Sequence, residues 1–212
     1  LAFIGCGACG KSHAMAACGL VSWLTDPYDT AVVVGSATLK DLQTRAWAPM
    51  LELFAHVKNN SAGVPIPGRI VENQYAIRNE RNAGDASTLG ARASIQGRAL
   101  EEGRLHGLHV PWVILIVDEL ALVKDIEALK ESITNIRIGT LGFKFVSAAN
   151  PEPWEHPNSC FYMPPGGETV TPETGSWRSA MGYFVRHFDG EKSPSVLVPE
   201  LKKVYPFLMS QD

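Results

Sequence analysis

The residues with the most explicit chemistry stand at the start of the chain. Gly5-Cys6-Gly7-Ala8-Cys9-Gly10-Lys11-Ser12 follows the pattern G-x-x-x-x-G-K-[ST] of a Walker A loop. Glycines let the backbone curl until its N–H groups face a phosphate chain, and a helix that begins at the loop adds the positive end of its dipole. On this reading residues 5–12, with His13 behind them, cradle the phosphates of ATP. Lys11 reaches the β- and γ-phosphates, and Ser12 ligates Mg2+.

A second candidate lies about a hundred residues on. The apolar run Trp112 to Val117 ends in Asp118-Glu119, a Walker B pattern. Asp118, at the end of a buried strand, holds magnesium directly or through water. Glu119 orients and deprotonates the attacking water, which requires it to come within hydrogen-bond reach of that proton. A strand leading into a helix N-terminus would also favour two acids here. The Walker A loop upstream favours the catalytic reading.

A Glu directly after the Walker B Asp resembles the additional-strand (ASCE, RecA-like) class of P-loop NTPases rather than small-molecule kinases or GTPases. That class inserts a further strand between the two Walker strands and ends it in a polar sensor. Phe143-Lys144-Phe145-Val146-Ser147, followed by Ala148-Ala149-Asn150-Pro151, fits such a strand, with Ser147 or Asn150 as the γ-phosphate sensor.

These residues need elements to hold them. Leu1 to Ile4, Ala31 to Val34, Val113 to Val117 and Phe143 to Ser147 read as short buried strands. Lys11 to Leu24 reads as a helix stopped by Asp26-Pro27. Leu39 to Val57 reads as a second helix, with Ser36 as a cap and Pro49 kinking or dividing it. Residues 59–68 form a loop, 69–79 include strand, and Val123 to Ile136 is helical. Residues 164–176, rich in Pro, Gly and Thr, form a loop, and Gly182 to Phe188 is a last strand. The alternation predicts an α/β fold: a mainly parallel sheet with helices on both faces, binding its ligand at the carboxyl ends of the strands.

Composition narrows the partners. The chain has 212 residues, 45% hydrophobic and 19% charged, which suits a globular core. Its formal net charge of −3 gives no global basic field, so nucleic-acid contact must come from a local patch. Arg69, Arg78, Arg81, Arg92, Arg98 and Arg104 share one region but are interleaved with acids. No apolar run is long enough to span a bilayer. Cys6 and Cys9 form a C-x-x-C, yet both occupy variable positions of the phosphate loop and no second C-x-x-C completes a zinc site. The chain opens on Leu1 inside a strand-like run, which implies that a natural N-terminal segment precedes it.

The sequence as a whole resembles the ATPase domain of tailed-bacteriophage terminase large subunits. The resemblance rests on the two Walker motifs, on Ala31-Val32-Val33-Val34-Gly35-Ser36-Ala37-Thr38 leading into a helix with Gln43 and Trp47, and on Gly103 to Pro111 before the Walker B strand. It also rests on Ser147 to Pro151 as a coupling motif and His187-Phe188-Asp189-Gly190 beyond it. An extra Ala separates Ser147 from Asn150, so the coupling residue stays open between them. The resemblance implies an ATP- and Mg2+-dependent motor that drives double-stranded DNA into a procapsid. It implies a homo-oligomeric ring on a portal protein, with a small terminase, in the cytoplasm of the infected host cell. It implies an arginine supplied in trans to the γ-phosphate; Arg104 is the candidate, with Arg98 and Arg92 as rivals. Residues 1–190 form the ATPase domain and 191–212 an extension too short for the nuclease domain such proteins carry. Two alternatives remain: a helicase-like nucleic-acid translocase of the same class, and a nucleotide-gated scaffold that does not turn over. Glu119 argues against the second.

Overall fold

The computed structural model describes residues 1–5, 10–79, 93–100, 105, 108–150, 156–167, 170, 174–192, 197, 198 and 200. Within them the strands are β1 (Ala2–Gly5), β2 (Thr30–Ser36), β3 (Arg69–Val71), β4 (Ala76–Arg78), β5 (Ser94–Ala99), β6 (Trp112–Asp118), β7 (Gly142–Ala149), β8 (Ser176–Arg178) and β9 (Phe184–Phe188). They form one sheet in the order β3-β4-β5-β2-β6-β7-β1-β9-β8. Pairs β1–β7, β1–β9, β2–β5 and β2–β6 are parallel, whereas β3–β4, β4–β5 and β8–β9 are antiparallel. The decisive feature is β7. It stands between β6, which ends in the Walker B acid, and β1, which leads into the Walker A loop. The expected α/β, mainly parallel architecture of the additional-strand class is therefore observed.

Two compact units divide the chain: Leu1–Lys11, Glu119–Ala121 and Ser147–Asp212 in one, Ser12–Asp118 and Leu122–Val146 in the other. The core of the second is built on β2 and β6. Every residue of β2 is buried, as is β6 from Val113 to Asp118. The apolar runs inside them, Ala31–Val34 and Val113–Val117, suit strands covered on both faces. Helix α1 (Lys11–Thr25) lays Met15, Ala16, Gly19, Leu20 and Trp23 inward, an i, i+4, i+8 stripe. Because this stripe anchors the helix, its first turn, carrying Ser12, is held in a fixed place.

The second helical region departs from expectation in an instructive way. Thr38, not Ser36, caps it: the Thr38 hydroxyl accepts from the Asp41 backbone N–H at 3.1 Å, while Ser36 remains the last residue of β2. From α2 (Leu39–Asp41) the chain continues through a π-helical stretch (Leu42–Trp47) into α3 (Ala48–Asn59). Pro49 neither stops nor divides the helix. It lies in the first turn of α3, just after the π-helical stretch, whose wider turns relieve the clash and missing N–H that a proline imposes on an α-helix interior.

Helix α4 (Ile126–Ile138) starts three residues later than the sequence pattern places it, because Asp125 accepts from Ala128 N–H at 2.9 Å and so sets the N-terminus. The expected strand over 69–79 is two strands, β3 and β4, joined through Glu72–Gln74 and a left-handed Tyr75 (φ 45°).

Candidate functional site

In the first unit, β1 carries the chain into the phosphate loop. A Cβ on Gly5 would lie 2.7 Å from the Phe188 carbonyl oxygen of the parallel neighbour β9. Sheet packing by itself thus demands the first glycine of the motif. Gly10 has φ +81° with open space around it, so here the backbone conformation, not crowding, requires glycine. Gly10→Ala is expected to weaken ATP binding about five- to tenfold, by straining the loop roughly 1 kcal/mol in its phosphate-bearing form; isothermal titration with a non-hydrolysable ATP analogue checks this.

Lys11 Nζ donates to the Gly5 carbonyl at 2.8 Å and to Asn150 Oδ1 at 3.2 Å. The structure thereby links the phosphate-loop lysine to the residue just beyond β7. Ser147, the other sensor candidate, is buried within β7 beside Ala2, its N–H donating to the Leu1 carbonyl at 3.0 Å. Of the two, it is Asn150 that meets a Walker A side chain.

Glu119 belongs to the same unit. It is half-buried and holds a left-handed backbone, φ +50°. A non-glycine residue in this region costs about 1–2 kcal/mol, and such strain persists only where the surroundings dictate it. Immediately beyond, Leu120–Leu122 form a 3-10 turn.

In the second unit, Ser12 Oγ donates to Asp118 Oδ2 at 2.7 Å. The two residues are separated by more than a hundred positions, and both come from the motifs read in the sequence. Asp118 is 2% exposed, at the carboxyl end of β6. Its partner in the register on β2 is Ser36, which is fully buried and whose Oγ meets no hydrogen-bond partner among the described residues. Paired residues of neighbouring strands point to the same face, so the orphaned hydroxyl lies on the Asp118 side of the sheet. One carboxylate and two hydroxyls make a hard-oxygen set. It suits Mg2+, which is held by one or two carboxylates together with substrate phosphates and keeps several waters. Ser36 gives no signal in the sequence beyond being a serine at a strand end; only the register discloses it.

His13 is exposed in the first turn of α1. Arg98 is exposed on β5 and donates to Gln96 Oε1 at 3.0 Å. Cys6, Gly7, Ala8, Cys9, Arg92, Arg104 and Pro151 lie outside the described residues. No described helix is long and apolar enough to cross a membrane.

With the extra strand lying between the two motif strands, the fold class follows: that of the P-loop NTPases of the additional-strand, RecA-like type. Within that class the chain has the fold of bacteriophage large terminase ATPase domains. The Thermus phage P74-26 large terminase ATPase domain, in an arginine-to-alanine mutant, superposes with a TM-score of 0.56 at 13% identity, over 97% of this chain and 81% of that one. The unmutated domain gives 0.53 at 14%, over 97% and 80%. A large terminase from a thermophilic bacteriophage gives 0.56 at 13%, over 97% of this chain but 44% of that longer one. No family model and no curated protein matches the sequence. At such identities the likeness is one of fold.

Proposed function

We propose that this chain is the ATPase domain of a viral DNA-packaging motor, a terminase large subunit that hydrolyses ATP with Mg2+ to translocate double-stranded DNA into a procapsid. The observation that carries the reading is the 2.7 Å hydrogen bond from Ser12 to Asp118, which joins the two Walker motifs on a terminase-type fold. Lys11 exchanges its contacts with Gly5 and Asn150 for the β- and γ-phosphate oxygens of ATP, leaving Asn150 free to respond to the γ-phosphate. Ser12 and Asp118 would hold the magnesium ion, which when bound neutralises charge on the β- and γ-phosphates. Glu119 takes the proton of the attacking water.

Residues 1–190 serve as the ATPase domain and 191–212 as an extension. The working form is a ring of copies on a portal, with a small terminase and duplex DNA as partners, in the cytoplasm of the infected host cell. Arg104 completes a neighbour's site in this arrangement. Arg104→Ala is expected to lower turnover of the assembled ring at least tenfold while sparing ATP binding; full turnover would move the role to Arg98 or Arg92.

The test of the whole reading is Mg2+-dependent phosphate release by the purified chain, alone and on portal-bearing procapsids, with duplex or single-stranded DNA. Hydrolysis stimulated by duplex DNA on procapsids, with uptake of nuclease-protected DNA, is the expected result. Stimulation by single strands alone would indicate a helicase-like translocase instead. Absence of hydrolysis under all conditions would leave only a nucleotide-gated scaffold.

A further inference from the structure

We infer that Asn158 is a positioning residue for Glu119. The inference rests on the ATPase reading above, and it adds a residue that no motif contains. Asn158 is 2% exposed, and its Nδ2 donates to the Leu120 carbonyl at 2.9 Å and to the Ala121 carbonyl at 3.1 Å. These are the two peptide carbonyls that follow Glu119. Both residues are buried, so the amide satisfies acceptors that water does not reach. A side-chain amide has two N–H donors on one nitrogen, so a single Asn can hold both carbonyls at once and thereby set the course of the chain leaving Glu119.

Two further features give the clamp a purpose. Glu119 itself has the left-handed φ of +50°, a conformation that must be imposed from outside. The chain on its carboxyl side is what Asn158 fixes. The turn that carries Asn158, Pro157–Phe161, is in turn rigidly seated. Its N-cap His156 accepts from Asn158 N–H through Nδ1 at 3.3 Å, Phe161 and Tyr162 are fully buried, Phe161 stacks on Tyr183 at 5.8 Å between ring centroids, and the Trp177 indole N–H donates to the Tyr162 carbonyl at 2.6 Å. All of these residues belong to one compact unit, which also contains Lys11 and Asn150. The same turn follows Asn150 closely in the chain, so the residue that meets Lys11 and the residue that holds the Glu119 segment sit on one short stretch of backbone. A general base displaced by about an ångström loses on the order of a hundredfold in rate while substrate binding is unaffected.

The experiment compares the wild-type chain with Asn158→Ala and Asn158→Asp, the second nearly isosteric but stripped of the two donors. Amide hydrogen exchange is followed in the nucleotide-free proteins, and kcat and the Kd for an ATP analogue are measured in parallel. Expected for both variants are faster exchange confined to the peptide spanning residues 119–122, a fall in kcat of roughly tenfold to a hundredfold, and a Kd within about twofold of wild type. Asn158→Gln, which keeps the donors on a longer stem, is expected to recover part of kcat. Unchanged exchange at 119–122, or unchanged kcat when exchange there has risen, overturns the inference. So does an equal loss of Kd and kcat, which is the mark of a general structural role. Should the wild-type chain not hydrolyse ATP, the ATPase reading fails, while the exchange measurement still judges the clamp.

Discussion

Glu119→Gln is expected to reduce ATP hydrolysis about a thousandfold while leaving the affinity for Mg2+-ATP within a few-fold of wild type. General-base catalysis contributes roughly 10²–10⁴ in rate, and the amide keeps the size and hydrogen-bonding reach of the carboxylate but cannot accept the water's proton. The left-handed backbone at this position makes the prediction more specific. Gln tolerates that conformation no better and no worse than Glu, so the loop is equally strained in both proteins and the change isolates the proton transfer. Glu119→Gly separates the two effects in the other direction. It removes the base but relieves the backbone, and so is expected to be equally inactive yet about 1 kcal/mol more stable in urea denaturation, less glycine's extra freedom in the unfolded chain. Single-turnover hydrolysis and equilibrium binding of a fluorescent ATP analogue check the first pair of values. Hydrolysis by Glu119→Gln at more than about a tenth of the wild-type rate would assign the base elsewhere.

What could be read from the sequence follows a physical line. The Walker pattern is legible because a loop that is to bind phosphate with backbone N–H groups would restrict residue type at each place: glycine where φ is positive or a neighbour too close, lysine for charge, a hydroxyl for a cation. Gly5, under the Phe188 carbonyl, and Gly10, at φ +81°, meet those two demands separately. The central strands are equally legible, since a strand covered on both faces carries an unbroken apolar run, as β2 does over Ala31–Val34 and β6 over Val113–Val117. Their order was accessible only through the class that the Asp118-Glu119 pair suggested.

The edges of the sheet were not legible. β8, Ser176–Arg178, is three residues long with exposed ends, so neither alternation nor burial marks it. The hairpin of β3 and β4 merged into one segment because its connection turns through Tyr75, not through a glycine or Asn-Gly signal. Two candidate site residues escape the sequence for related reasons. Ser36 acquires meaning from its partner across the register, and Asn158 from two backbone carbonyls that any residue type would supply. A contact with the main chain leaves no trace in the partner's sequence.

Asp118→Asn is expected to abolish the magnesium response while leaving the fold intact. Asp118 is 2% exposed, at the carboxyl end of β6. The amide keeps the shape of the carboxylate, and its oxygen can still accept from Ser12 Oγ, the 2.7 Å bond that ties α1 to β6. Without Mg2+, therefore, Asp118→Asn should melt close to the wild-type temperature. Added Mg2+-ADP separates the two proteins. A ligand at a hundred times its Kd stabilises the native state by about 2.7 kcal/mol, so the wild-type melting temperature should rise by several degrees and that of the variant by far less. Hydrolysis should fall about a thousandfold, in keeping with the several kcal/mol of charge stabilisation that a metal ion supplies to a phosphoryl group. The contrast with Ser12→Ala is informative. That change removes the hydroxyl but leaves the charge, so the Mg2+ dependence should shift to higher concentration and survive. If the two variants proved indistinguishable in their Mg2+ titrations, the 2.7 Å contact would be a structural hydrogen bond between a helix and a strand, and the cation would have to be held elsewhere.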